Sequence, residues 1–159
     1  DVLNSAPVEI PQEEIKMNQD TIRLLQECNA GAKMGIKTLN EVMENVCDSH
    51  LQQILRQSRS QHETIESKTC SMLKESHQMG KEPDFMASAM SWAKTNMKMV
   101  MKESDQTIAN LVTDGCNMGI TSINRYLNQY GEADAHAKNI AKELIKSEEN
   151  LVKDVRKYL

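Results

Sequence analysis

The 159 residues carry 19 basic against 23 acidic side chains, a net charge of −4, and neither sign collects in a long run; without a basic face the chain lacks the electrostatic footprint of a nucleic-acid binder, and no nucleic-acid partner is expected. No apolar run reaches the roughly 18 residues of a membrane span, and no basic-then-apolar leader stands at Asp1, so the expectation is a soluble, cytoplasmic protein with no membrane partner. Eleven methionines against five aromatic residues describe an aliphatic, adaptable core, in one domain long enough to bury roughly two-thirds of the surface its unfolded chain exposes.

Residues 1–17 contain Pro7 and Pro11, lack helical periodicity, and read as an extended or mobile arm. Asn18 is placed to cap a long helix with Ile22, Leu25, Asn29, Ala32, Ile36, Leu39, Met43 and Val46 on one line, in alternating steps of three and four. Asp48 caps a second helix whose inner line is Leu51, Leu55, Ser58, His62, Ile65, Thr69 and Met72. The short break at Cys47-Asp48 makes the two an antiparallel hairpin over residues 18–78. Gly80 and Pro83 break the pattern, and a crossover over 79–103 holds a helical segment from Phe85 to about Met101. A second hairpin, 104–159, carries Ala109, Val112, Cys116, Gly119, Ile120, Ile123 and Leu127 inward until Gly131 ends its first helix. Its second helix, capped by Asp134, turns Ala137, Ile140, Ala141, Leu144, Glu148, Leu151, Val155 and Tyr158 inward. Cys28, Cys47, Cys70 and Cys116 stand singly, without C-x-x-C spacing, and are expected as reduced thiols.

The two hairpins are copies. Gly31-Ala32-Lys33-Met34-Gly35-Ile36-Lys37-Thr38-Leu39-Asn40 recurs as Gly115-Cys116-Asn117-Met118-Gly119-Ile120-Thr121-Ser122-Ile123-Asn124, an offset of 84, while Asp48-Ser49-His50 recurs as Asp134-Ala135-His136, an offset of 86. Two long hairpins joined by a helical crossover is the order of a ferritin-like four-helix bundle, as opposed to up-down-up-down. With Trp92-Ala93-Lys94 in the crossover, residues 18–159 resemble the ferritin-like bacterial proteins of unknown function, small bundles whose crossover helix carries a Trp followed by basic residues. The resemblance implies an all-α, ferritin-like four-helix bundle and carries no established activity.

A ferritin-like di-iron site needs two Glu-x-x-His motifs, and the residues three before His50, His62, His77 and His136 are Cys47, Arg59, Lys74 and Ala133. Glu27 and Asp114, the acids that could substitute, fall off the core lines. The expected protein is therefore a non-catalytic bundle that has lost its di-iron ligands and serves as a binding or structural protein. His62 and Glu148 are more specific. Both are polar, both lie mid-line, and they are equivalents under the 86-residue offset. Each needs a partner if buried: either they pair with each other or with Asn29, Cys28 and Cys116 as a buried polar cluster, or His62 and Glu148, with thiolate, remain as ligands of a remnant zinc or iron site. Gly31, Gly35, Gly115 and Gly119, each costing a helix about 1 kcal/mol against Ala, imply close helix packing or a small cavity. Nucleophilic catalysis has no motif in its support.

The crossover's apolar arc is wide. Met86, Met90, Met97 and Met101 run along one line, more often core or interface than copper-handling, and Phe85, Trp92 and Met99 lie along a second. A homodimer through the second line is expected; the competing cover is the arm, with Val2, Leu3, Val8, Ile10 and Ile15.

Overall fold

The computed structural model describes residues 16–83 and 105–159. They form four helices: α1 (Gln19–Met43), α2 (Ser49–Glu75), α3 (Asp105–Gln129) and α4 (Ala135–Val155), followed by a 3-10 turn over Arg156–Tyr158. No strand occurs among the described residues. Residues 1–15 of the arm, the methionine line and the interface residues Phe85, Trp92 and Met99 lie outside them, while Met17 packs against the core.

Three helices start where a short polar side chain satisfies the free amides of a first turn. Asn18, Asp48 and Asp134 accept from the amides of Thr21, Leu51 and Ala137, each at 2.8 Å. The end of α2 differs from the sequence expectation, because the helix stops before Gly80 is reached. His77 takes a left-handed conformation, φ 55°, so that its amide reaches the Lys74 carbonyl and that of Gln78 reaches the Leu73 carbonyl, the 6→1 and 5→2 pattern that satisfies a helix's last carbonyls. Gly80 has another use: a Cβ there would lie 2.5 Å from Asn29 Oδ1.

Helix directions follow from who touches whom. Asn18 at the start of α1 donates to the Glu132 carbonyl beyond the end of α3, and the amides of Cys47 and Asp48 beyond the end of α1 donate to the carboxylate of Asp105 at the start of α3, each at 2.9 Å. The helices α1 and α3 are therefore antiparallel. Lys68 bonds Glu143 and Ser147 bonds Gln61, so α2 and α4 are antiparallel too. With each hairpin antiparallel in itself, the order is up-down-down-up. Helices α1 and α4 touch across the middle, whereas α2 and α3 occupy opposite corners. The repeat explains one pair of these ties. Asp105 is the equivalent of Thr21, and while Asp48 donates its amide to Asp105, Asp134 donates its own to Thr21 Oγ1 at 2.8 Å. Each hairpin's turn is held by the first helix of the other.

The core is divided. One apolar cluster gathers Leu25, Ala32, Ile65, Leu73, Ile123, Ala137 and Leu144; the other gathers Leu39, Leu51, Leu55, Val112, Leu151 and Val155 at the opposite end. The inner lines agree with the sequence periodicity at most positions. On α2, however, Leu73 is fully buried in place of Met72, and on α1 and α3 Ile36, Ile120 and Leu127 are only half-buried. Val46 falls in the turn after α1.

Candidate functional site

Between the two clusters the side chains facing inward are polar or absent. On α2 they are Ser58 and His62, on α4 Ser147 and Glu148, and on α1 and α3 Gly35 and Gly119. The helical period that supplies Leu51, Leu55 and Ile65 to the core continues through His62, which is 1% exposed. The carboxyl-bearing side chain of Glu148 is 13% exposed.

His62 Nδ1 lies 2.7 Å from the Ser58 carbonyl oxygen and Nε2 lies 2.6 Å from Glu148 Oε1. A carbonyl oxygen can only accept, so Nδ1 carries a proton. Burial alone would lower the imidazole's pKa, but the Glu148 hydrogen bond and charge, aided by the Ser58 carbonyl, more than offset it, and the value stands above the ordinary 6.5. Below that raised value both ring nitrogens donate, and the layer then holds an imidazolium against Glu148. Cys116 stands beside it: burial, then the charge of Glu148 and a polar interaction with it, push the thiol's pKa far up, so it stays protonated and is not a nucleophile. At the edge of the layer Ser147 Oγ donates to Gln61 Oε1 at 2.8 Å, a second pair of repeat equivalents in contact.

The sequence-derived cluster splits in two. Asn29 lies six residues before Gly35, about 9 Å along α1. It donates to Thr69 Oγ1 at 3.0 Å and Cys70 Sγ at 3.2 Å and accepts from the Lys81 amide at 3.0 Å. It ties the chain leaving α2 back onto α1 and has no part in the layer. Cys28 sits in an apolar cluster, its pKa pushed up to about 12 by burial and then by the Glu27 charge. The four thiols are free; Cys47 is in the turn and exposed, not within a helix.

The glycines also divide. A Cβ on Gly35 would stand 2.5 Å from His62 Cδ2 and 2.8 Å from Nε2, so the imidazole occupies the space a side chain would take. Cβ atoms on Gly31 and Gly119 would make ordinary contacts, 3.5 Å to Leu144 and 3.7 Å to the Glu148 carboxyl carbon. Gly115 is corrected: among the described residues nothing lies within 4 Å of its Cβ position, so packing among the described helices does not require a glycine there. Of the acids weighed as substitute ligands, Glu27 pairs with Lys81 and Asp114 is exposed.

Among the described residues no group of three or more His, Cys, Asp or Glu side chains is arranged to hold a metal ion, and no helix is long and apolar enough to cross a membrane. Sequence reasoning missed Ser147 and Gln61, although the 86-residue offset that paired His62 with Glu148 relates them as well. It also missed Asp105, whose signal is its equivalence to Thr21. No family model, curated protein or solved structure matches the chain.

The raised pKa of His62 has a signed consequence. A group whose folded value lies above its unfolded 6.5 contributes stability that is fully present below 6.5 and is lost as pH rises through the folded value. Thermal unfolding should show the melting temperature falling across that window. In a variant with leucine at both 62 and 148 the fall should be absent.

Proposed function

We propose that this chain is a ferritin-like bundle in which a proton-held His62–Glu148 pair occupies the middle of the core, where a metal-bearing relative would place its ligands, and that it works as a binding or structural protein without catalysis. The up-down-down-up helix order supports the ferritin-like reading, since it demands one long crossover. The observation that carries the functional reading is the engagement of both His62 ring nitrogens, at 2.7 Å and 2.6 Å. A metal-ligating imidazole must offer a lone pair, and here neither nitrogen has one to offer while the pair is intact. The missing Glu-x-x-His motifs point the same way.

A second reading has one observation in its favour. Imidazole and carboxylate meet with a thiol beside the carboxylate, the donor types of a mononuclear zinc site, although the three are not arranged to hold an ion as they stand. To bind there zinc would have to displace the proton between His62 and Glu148 and the thiol proton of Cys116, whose pKa is raised. Elemental analysis of protein purified without chelator separates these readings. The expected result is no stoichiometric metal; one zinc per chain lost on replacing His62 would establish the second reading, and two irons per chain would overturn both.

A further inference from the structure

The geometry points to a central layer with two equivalent sockets, so that His62 and Glu148 form a register key for docking the two hairpins whose polarity can be reversed. This rests on the structural reading of the layer and extends it to what the layer selects. Two contacts between the hairpins join positions related by the internal repeat, and two others map onto each other under it. His62 meets Glu148 and Gln61 meets Ser147 under the offset of 86, and Asp48 on Asp105 matches Asp134 on Thr21. These contacts follow a local two-fold relation, although the whole bundle does not, since α1 packs on α4 while their equivalents α3 and α2 stand apart; within that relation the two sockets are built alike. Position 62 has a glycine, Gly35, opposite it and a carbonyl four residues back, at Ser58, to receive Nδ1–H. Position 148 has Gly119 opposite it and the Leu144 carbonyl four residues back. The glycine at 119 leaves the Glu148 carboxyl only an ordinary contact where a Cβ would be, so that socket has room the glutamate does not use. An imidazole there could donate Nδ1–H to Leu144 and Nε2–H to a carboxylate at 62. The sockets differ in two side chains: Cys116, beside the present carboxylate, has Ala32 as its equivalent, and Ser58, beside the present imidazole, has Leu144.

A buried polar pair of this kind selects register, because any other docking of the hairpins would set an imidazolium or a carboxylate into one of the apolar clusters. A layer that does only this does not depend on which hairpin carries the cation. A layer that does chemistry or binds an ion does depend on it.

The test compares His62→Glu, Glu148→His and the double exchange in the full chain by thermal unfolding and circular dichroism. Each single change places like groups face to face and should lower the melting temperature by on the order of 10 °C. The double exchange should recover more than half of that loss, the remainder reflecting the two side chains in which the sockets differ. A second measurement reads the socket itself. In the native chain Gly35→Ala is the harmful glycine substitution and Gly119→Ala the tolerated one; in the double exchange the order should invert. A double exchange no more stable than the single changes, or a folded one in which Gly35→Ala remains the worse substitution, overturns the inference.

Discussion

Replacing Glu148 alone with leucine should lower the unfolding free energy by about 3–5 kcal/mol, the range for a buried ionic group that loses its partner. The imidazolium would remain 1% exposed between two apolar clusters, with Ser58 as its one firm acceptor. It can escape by shedding the Nε2 proton. With the raising influence of Glu148 gone, burial then pulls its pKa down, so the destabilisation should be greatest in acid and shrink as pH rises, opposite to the native trend. Replacing both His62 and Glu148 with leucine should return stability to within about 1 kcal/mol of the native chain, since well-packed apolar groups often substitute for a complete buried pair at no net cost. Urea unfolding of the single and double variants measures this, and a double variant as unstable as Glu148→Leu would show that the site is poorly able to repack.

Gly35→Ala should be the next most damaging change, at about 3 kcal/mol, the upper end of overpacking costs. The new methyl carbon would stand 2.5 Å from a ring carbon of His62, and the ring cannot swing away without breaking its bonds to Ser58 and Glu148. The same substitution at the equivalent Gly119, where the nearest atom is 3.7 Å away, should instead be neutral or stabilise by up to about 1 kcal/mol through helix propensity. Gly115, whose Cβ position has no described residue within 4 Å, should behave like Gly119. Two residues identical in type, and equivalent in the repeat, thus differ in sign because one has an imidazole pressed against it and the other a carboxyl standing farther off. Parallel chemical unfolding of the three alanine variants gives the comparison.

Much of this architecture is legible in the sequence because it rests on local chemistry. Asn18, Asp48 and Asp134 are short polar residues before apolar periodicity, and the helices begin where they stand. His62 and Glu148 could be placed in the core by counting from the turns, since a regular helix carries its phase for many residues. Asn29 shows where such counting fails. It lies on the same inner line as the layer, but its partners include Lys81, a residue beyond the end of α2 whose position no periodicity encodes. The αL residue at His77 is a similar case, because glycine is the usual occupant and the sequence offered Gly80 three residues later. The division of the glycines depends on which side chain stands opposite, a fact about two helices together and not about either alone.

Nitrogen-15 NMR of the histidine rings reads the proton between His62 and Glu148 itself, because protonated, bare and metal-bound ring nitrogens resonate apart. Below pH 6.5 His62 should show protons on both Nδ1 and Nε2, and it should give up the second only at a pH above that of an ordinary histidine. A bare Nε2 already below pH 6.5, or a metal-bound one at any pH, would overturn the imidazolium–carboxylate pair.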